Sequence, residues 1–324
     1  MNKPLLLVAL LVLWLSGCAS ERERHWEAID TQNLPDVRSE NAFARVGDRF
    51  YLLGGRGDKV VEMYDPATNR WEKKAAMPIE MHHFQALTYG DEIYVVGALT
   101  GPYPHEDPVP NIYIYNPEQD QWRQGAAVPE GRRRGAAAAT VYNDKIYVIC
   151  GIQDGHWDGH VAWMDEYDPQ TNTWERLADA PRPRDHVQAA VIGDQLVLAG
   201  GRNSTARTGH VLDTTIPEVD VYDFGAGEWR TLPATANIPT QRAGCTAVPL
   251  DGRAVIIGGE SPQKLAHSQT EALDLQTETW LTLDSLTTGR HGTQAVLYKG
   301  DVYIAAGSAN QGGGPELNTI EVMK

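Results

Sequence analysis

The sequence predicts an all-β protein, a six-bladed β-propeller, from three observations. Six units of similar pattern follow one another, each has a pair of small residues after an apolar strand, and helical periodicity is absent. In five units a tryptophan follows an aromatic or apolar residue by seven positions: Tyr64 and Trp71, Tyr115 and Trp122, Tyr167 and Trp174, Tyr222 and Trp229, Leu273 and Trp280. A constant interval within units of variable length indicates a fixed turn and one variable loop in each unit.

Each unit contains four candidate strands. The first ends at a tight turn such as Gly47-Asp48, because such residues tolerate the positive φ that hairpin turns need. The second is apolar, as in residues 50–53, and the third ends at the tyrosine position. Asp65-Pro66 or its equivalent then begins the turn into the tryptophan strand. The second strands end at the following pairs: Gly54-Gly55, Gly97-Ala98, Cys150-Gly151, Gly200-Gly201, Gly258-Gly259 and Ala306-Gly307.

The two ends of the repeat region carry complementary parts of one unit. The sixth unit stops at residues 320–323, in register with residues 61–64, and lacks a tryptophan strand. Residues 26–35 resemble the tryptophan strand of the first unit at residues 71–78. We therefore expect the strand at Trp26 to pair with the last unit and close the ring, which removes exposed sheet edges.

The combination of paired glycine, spaced tyrosine and spaced tryptophan resembles the kelch repeat from Trp26 to the C-terminus. The pattern departs where one residue of a glycine pair is replaced and where Leu273 replaces tyrosine. The resemblance implies one propeller domain at residues 26–324. Kelch propellers include copper oxidases and sialate epimerases, so the fold alone does not exclude an enzyme.

The first 25 residues precede the repeats. Residues 1–17 have a basic start, an apolar run and small residues, which are typical of a secretory signal peptide. The segment Leu15-Ser16-Gly17-Cys18 resembles a bacterial lipobox, which implies lipidation of Cys18 and a short tether at residues 18–25. The alternative is an ordinary cleaved signal with a chance cysteine. Because Ala19 is not the aspartate that resembles an inner-membrane retention signal, we expect a bacterial outer-membrane lipoprotein, monomeric and lipid-anchored in the cell envelope.

Composition excludes some functions. A formal net charge of -15 argues against a nucleic-acid partner, since phosphate binding needs a basic surface. Beyond the N-terminal segment, no apolar run is long enough for a transmembrane helix. Cys150 and Cys245 fall on different strand types of non-adjacent units, so we expect buried free thiols.

Long loops define the expected functional face. From the second residue of each pair to the tyrosine position the interval varies between 9 and 21 residues, whereas the turns at the other end are constant. Binding residues concentrate on long loops held by a rigid scaffold. The candidate ligand-binding residues are therefore Arg38, Arg134, Arg184, Arg242, Arg290, His83, His186, His291, Tyr103, His156, Trp157 and His160.

The five arginines each stand sixteen residues before the first position of a pair, where the second unit has Met81. A ring of arginines would suit an anionic ligand. However, the same five units carry an acid two residues before the tyrosine position, where the second unit has Tyr113: Glu62, Asp165, Asp220, Glu271 and Glu321. This matched absence favours an Arg–carboxylate pair within each blade, with the arginine crossing above the glycine pair.

Histidines also lie near the expected mouth of the propeller, with Glu40 in the first unit. His82, His83, His186 and His291 come from three separate blades, and no spacing enforces their convergence. We therefore expect solvated or hydrogen-bonded imidazoles rather than a metal site, and no cofactor.

Two loops and one column of residues complete the candidates. The loop at residues 152–163 combines two histidines, two aspartates and two tryptophans, and the loop at residues 99–110 is stiffened by prolines. These loops could bind a metal ion, stack on a sugar or peptide, or pack against neighbouring blades. Gln85, Gln188 and Gln294 alternate with smaller residues on the first strands and are expected to line a wet channel.

The preferred function is a membrane-tethered, non-catalytic recognition scaffold that binds a protein or glycan ligand, anionic ligands included, on the loop face. The alternative is a sialate-epimerase-like enzyme at the channel mouth, for which His83, His186, Glu40 and Arg184 supply acid–base and anion-holding groups. A copper oxidase is disfavoured because its cysteine–tyrosine crosslink has no counterpart, Cys150 and Cys245 both lying within repeat strands.

Overall fold

A computed structural model describes residues 23–324 and contains six four-stranded antiparallel sheets. Consecutive sheets contact one another through their innermost strands, and the first sheet contacts the last in the same way. The sheets therefore form a closed ring of six blades, as the sequence predicts.

The strands of each blade are given from the axis outward. Blade 1 contains Asn41–Val46, Arg49–Gly54, Val60–Asp65 and Arg70–Ala76; blade 2 contains Leu87–Tyr89, Glu92–Val95, Asn111–Asn116 and Gln121–Ala127; blade 3 contains Ala138–Tyr142, Lys145–Ile149, Met164–Asp168 and Thr173–Arg176. Blade 4 contains Ala189–Ile192, Gln195–Leu198, Asp220–Asp223 and Glu228–Thr231; blade 5 contains Thr246–Leu250, Arg253–Ile257, Thr270–Asp274 and Thr279–Thr282; blade 6 contains Ala295–Tyr298, Asp301–Ala305, Ile320–Met323 and Trp26–Ile29.

Short elements occupy the loops. Two small hairpins project from blades 2 and 3, and they pair Leu99–Thr100 with Asp107–Pro108 and Ile152–Asp154 with Asp158–His160. The helical segments among the described residues are single 3₁₀ turns at Glu130–Arg132, Ala206–Thr208 and Ala234–Ala236. No helix within residues 23–324 has the length and apolar character needed to cross a membrane.

The N-terminal strand closes the ring as predicted. Trp26 lies opposite Met323 and Ile29 opposite Ile320 in the antiparallel register of blade 6. The predicted signal peptide, the lipobox and Cys18 lie outside the described residues. Cys150 and Cys245 are free and buried, which confirms the expectation from their positions.

The seven-residue interval has a direct structural cause. Tyr64 lies directly opposite Trp71 across the outer hairpin of blade 1, with ring centroids 5.1 Å apart. The Tyr64 hydroxyl donates a hydrogen bond to Asn69 Oδ1 in the connecting turn at 2.9 Å. The same register recurs in blades 2 to 5, so the interval measures one fixed hairpin.

Glutamine side chains bridge the innermost strands across the propeller axis, and they also border the cavities at its two ends, Gln188 at one end and Gln85 and Gln294 at the other. The water expected in this channel stays a prediction. Gln85 Oε1 accepts hydrogen bonds from the backbone N–H groups of Ala139 and Ala189 at 3.0 Å each. Gln294 bonds both backbone groups of Ala86 across blade 1. The innermost strands have unpaired edges that face the axis, and these amides satisfy them.

Replacing Gln85 by leucine should therefore lower the free energy of unfolding by about 2–3 kcal/mol, because buried N–H groups of blades 3 and 4 lose their acceptor. Urea denaturation followed by circular dichroism measures the change. Gln124→Leu is the matched control, since Gln124 is exposed on the outer strand of the same blade. Its effect should stay within about 0.5 kcal/mol. Equal effects of the two substitutions would contradict the bridging role.

Candidate functional site

The five repeat arginines are each paired with the acid of their own blade, as the matched absence in blade 2 predicts. The pairs are Arg38 and Glu62, Arg134 and Asp165, Arg184 and Asp220, Arg242 and Glu271, and Arg290 and Glu321. All ten side chains are almost fully buried. Burial lowers the pKa of the Arg184 guanidinium, although the adjacent Asp220 carboxylate opposes this shift.

The same guanidiniums hold the backbone at the glycine pairs. Arg242 Nε donates to the Gly258 carbonyl at 2.6 Å, and the other four arginines bond the equivalent carbonyl. A side chain at the second position of the pair would meet the arginine, since a Cβ on Gly259 would lie 3.0 Å from Arg242 Cγ. Blade 2, which has Met81 instead of arginine, carries Ala98 at this position. The guanidiniums thus direct their donors into the blades, and their role in ligand binding stays a prediction.

A ring of backbone hydrogen bonds forms the mouth of the propeller. The residues two positions after the arginine site all have positive φ: Glu40, His83, Ala136, His186, Gly244 and Gly292. His83 N–H donates to the Glu40 carbonyl at 3.0 Å, Ala136 N–H to His83 at 2.9 Å, and His186 N–H to Ala136 at 3.0 Å. The chain continues through the glycines to Asn41. Left-handed backbone at non-glycine residues persists where the surroundings enforce it, often at functional sites.

Three histidines converge on this ring. His83 and His186 project from it, and His156 reaches over from the hairpin of blade 3, whose ring position is the small Ala136. The ring centroids lie 5.1 Å apart for His83 and His156, 4.9 Å for His83 and His186, and 4.7 Å for His156 and His186. All three side chains are buried. Of the expected alternatives, His83 and His186 are hydrogen-bonded rather than solvated, and their convergence with His156 is a feature that no spacing in the sequence indicated.

Buried carboxylates orient two of these imidazoles. His156 Nδ1 lies 2.8 Å from Glu106 Oε1, and His186 Nδ1 lies 2.5 Å from Asp185 Oδ1. Burial and the nearby Arg202 charge lower the pKa of His186, although Asp185 opposes this shift. Burial would raise the pKa of Asp185, but the hydrogen bond from His186 and nearby positive charge hold it below its usual value.

These acids were missed in the sequence. Asp185 directly precedes His186 in the sequence, so this dipeptide could have indicated a carboxylate beside the imidazole. Glu106 lies in the blade 2 loop and carried no signal, because its partners come from other loops. Arg56 of blade 1 pairs with it, Nη2 to Oε1, at 2.5 Å.

The other candidates lie around the histidine cluster. His291 Nε2 donates to the Asn310 carbonyl at 2.8 Å, and its Nδ1 lies 3.7 Å from Glu40 Oε1. His160 lies opposite Ile152 in the blade 3 hairpin. The ring centroid of Tyr103 lies 5.2 Å from that of His156, and Tyr103 is 57% exposed.

Cavities open at both ends of the axis. The mouth cavity has a volume of about 40 Å³ and is bordered by Glu40, His83 and His186. The opening at the other end is larger, about 550 Å³, and is lined by residues of the first strands such as Thr88 and Thr140. Gln85 and Gln294, two of the residues expected to line a channel, also border this opening, whose other lining residues are mostly apolar.

Comparison with known proteins places these features in a family. The family described as the KLHDC2/KLHL20/DRC7 Kelch-repeats domain matches residues 18–201 and 84–307. The Kelch-like protein terF of Aspergillus terreus is 27% identical over 323 residues, covering 92% of this chain and 69% of terF. Kelch-like protein 25 of Xenopus tropicalis is 27% identical over 246 residues, covering 72% of this chain and 38% of that protein.

Further matches agree with the fold. Alpha-scruin of Limulus polyphemus is 28% identical over 237 residues, covering 69% of this chain and 24% of its own length. This chain therefore spans less than half of two of these three relatives. The solved structure of YjhT superposes with a TM-score of 0.75 at 15% identity, over 89% of this chain and 95% of that one, which shows a shared fold. Because the family match covers most of the chain, the protein belongs to the kelch-repeat family.

Proposed function

We propose that this chain is a non-catalytic recognition scaffold that binds a protein ligand on the loop face of its propeller. A glycan is the alternative occupant of the same face. In this proposal the chain is a bacterial lipoprotein, and the lipid on Cys18 holds the propeller close to the outer membrane.

The observation that carries the proposal is that the loops of blades 1 to 4 on this face are connected to one another by hydrogen bonds and ion pairs. Glu106 of the blade 2 loop contacts Arg56 of the blade 1 loop and His156 of the blade 3 loop. Arg207 of the blade 4 loop donates from Nε to Asp158 Oδ2 at 2.7 Å, and the Ala206 N–H donates to the His156 carbonyl at 2.9 Å. A surface already held in one shape loses little conformational entropy when it binds.

This connected surface presents aromatic side chains. Tyr103 is exposed, and Trp157 packs against the ring of His105 with centroids 4.7 Å apart. Tyrosine and tryptophan are enriched among the residues that carry binding energy at protein interfaces, because they offer large contact areas with few rotatable bonds.

The epimerase-like alternative receives less support. Its anion-holding candidate Arg184 is buried and bonds Asp220 and backbone carbonyls. The mouth cavity of about 40 Å³ has room for about three water molecules, and glutamines cross the axis beneath it. This geometry favours binding at the surface over chemistry on a buried sugar.

A photo-crosslinking amino acid placed at position 103 tests which face binds. The matched control carries the same amino acid at Asp91, an exposed turn residue at the opposite end of the same blade. In cells, we expect a discrete protein adduct from position 103 and none from position 91. Adducts from position 91 alone would contradict the proposed face.

Calorimetry and NMR with sialic acids and uronic acids separate the classes of function. Binding without chemical change would favour a glycan ligand, and absence of binding together with a position-103 protein adduct would favour a protein ligand. Turnover of any of these sugars would overturn the non-catalytic proposal.

A further inference from the structure

We propose that His83, His156 and His186 bind a divalent transition-metal ion at the mouth of the propeller, with Glu40 as a fourth ligand. One candidate ligand atom from each histidine lies within 4.8 Å of the other two. Ligands about 2.1 Å from a tetrahedral ion lie about 3.4 Å apart, so small side-chain rotations would complete the site. The proposal does not rest on the recognition function, because an ion can bind here whatever contacts the loops.

Two carboxylates beside the cluster orient two of the imidazoles, as carboxylates next to metal-binding histidines do. Glu106 accepts from Nδ1 of His156, and Asp185 accepts from Nδ1 of His186. Each contact places the ring proton on Nδ1 and leaves the Nε2 lone pair available. Metal-binding histidines commonly donate their second nitrogen to a carboxylate, which fixes the tautomer and strengthens the ligand.

One of these lone pairs has no partner. The His186 side chain is 97% buried, and its Nε2 atom makes no hydrogen bond to any of the described residues. A buried nitrogen without a partner loses its hydration with no compensation, and such groups are uncommon in folded proteins. A bound ion would satisfy this atom.

The third histidine belongs to a chain of contacts that lacks a proton. His82 Nε2 faces the Gly101 carbonyl at 3.2 Å, His82 Nδ1 lies 2.6 Å from His83 Nδ1, and His83 Nε2 lies 3.2 Å from Glu40 Oε2. Both ends of the chain are oxygen acceptors, and two neutral imidazoles supply only two protons, which the contacts to Gly101 and between the two rings use. The deficit falls at the ion-pair contact between His83 Nε2 and Glu40, where a lone pair then faces a carboxylate.

A cation at His83 Nε2 resolves this deficit. The proton on His82 Nε2 would serve Gly101, and the proton on His83 Nδ1 would serve His82. The His83 Nε2 lone pair and the Glu40 carboxylate would then both face the ion. The ion-pair contacts of Glu40 are with the imidazoles of His83 and His291. The buried Arg202 guanidinium interacts with Glu40 electrostatically, without forming one of these contacts.

The donor set indicates the class of ion. Imidazole nitrogens suit Zn²⁺, Cu²⁺, Ni²⁺ and Fe²⁺, whereas Mg²⁺ and Ca²⁺ prefer sites built wholly from oxygen ligands. Three histidines and a carboxylate at tetrahedral positions fit Zn²⁺, and Co²⁺ can report the same geometry through its visible absorption.

The test uses the full chain without an affinity tag, freed of metal by a chelator. Titration with Co²⁺ should produce the visible bands of a tetrahedral complex that saturate at one ion per chain, and Zn²⁺ should displace them. Calorimetry with Zn²⁺ should give the same stoichiometry. Absence of a single saturable site for Co²⁺, Zn²⁺, Cu²⁺ and Ni²⁺ would overturn the proposal.

Two ligand variants and one control localise the site. His186→Asn retains a residue type that tolerates left-handed backbone, and His156→Gln lies on a loop outside the hydrogen-bonded ring. Each should weaken Zn²⁺ binding at least about 100-fold, since even the loss of an orienting partner costs 10–100-fold. His210→Asn removes an exposed histidine that contacts Asp213 and should leave binding unchanged.

Thermal unfolding of the metal-free variants checks that they fold. If His186→Asn does not fold, His156→Gln alone decides, and wild-type affinity in that variant would contradict the site. The outcome is independent of the crosslinking experiment, so failure of one proposal leaves the other standing.

Discussion

Glu271→Gln should lower the free energy of unfolding by about 3–5 kcal/mol, although it replaces only one oxygen of a side chain by a nitrogen. Arg242 Nη1 lies 2.5 Å from Glu271 Oε2, and both side chains are almost fully buried. With a neutral amide opposite it, the guanidinium keeps its charge but loses its counter-ion in a place that water does not reach. The mutation therefore leaves an unpaired buried charge, which costs far more than a surface pair contributes.

The arginine cannot respond by leaving its position. Its remaining donors hold the backbone carbonyls of Thr240, Ile256 and Gly258. Moving the guanidinium towards solvent would break these hydrogen bonds, at a further cost of about 1–3 kcal/mol for each carbonyl left without a partner. Keeping the guanidinium in place and moving it to solvent are both unfavourable. We therefore expect a loss of stability near the upper end of the range seen for point mutations.

Glu278→Gln is the control, because it makes the same chemical change in the same blade at a partly exposed pair. Arg230 Nη1 lies 2.7 Å from Glu278 Oε1, with side chains 42% and 33% exposed. Its loss should change the free energy of unfolding by less than about 1 kcal/mol. Urea denaturation of the two variants measures the difference, and similar midpoints would contradict a structural role for the buried pair.

Repeated local patterns made the fold predictable. The seven-residue interval reports one hairpin in which Tyr64 faces Trp71, so it indicates blade number without knowledge of tertiary contacts. The Arg–carboxylate pairs were predictable for the same reason, since Met81 and Tyr113 change together in one unit. Each inference concerned residues of a single blade, whose relative positions the repeat defines.

The histidine cluster was not predictable in this way. His83, His156 and His186 come from three blades, and His156 reaches the others only through the path of an irregular hairpin. The glutamines show the same limit, because Gln85 finds its partners on blades 3 and 4. Contacts between blades depend on how the blades are arranged in the ring and on the paths of the loops. Residue spacing along the chain contains no information about either.

Trp26→Ala should lower the free energy of unfolding by about 3–5 kcal/mol, the usual cost of removing a large buried aromatic side chain. Trp26 is 5% exposed, and its Nε1 donates to Thr270 Oγ1 of blade 5 at 3.0 Å. It packs among buried residues of blades 5 and 6. The strand that begins at this residue joins the two ends of the ring, so its loss should also expose the edge at Ile320–Met323.

A loss of stability together with an exposed strand edge would distinguish a role in ring closure from a role in core packing alone. Trp157→Ala, on the loop face, is the control and should cost about 1 kcal/mol, the value of an aromatic contact at the surface. In limited proteolysis, Trp26→Ala should be cleaved near the N-terminal strand before the blades unfold, whereas Trp157→Ala should not. Wild-type protection of that strand in Trp26→Ala would show that the backbone pairing holds the ring closed without the tryptophan.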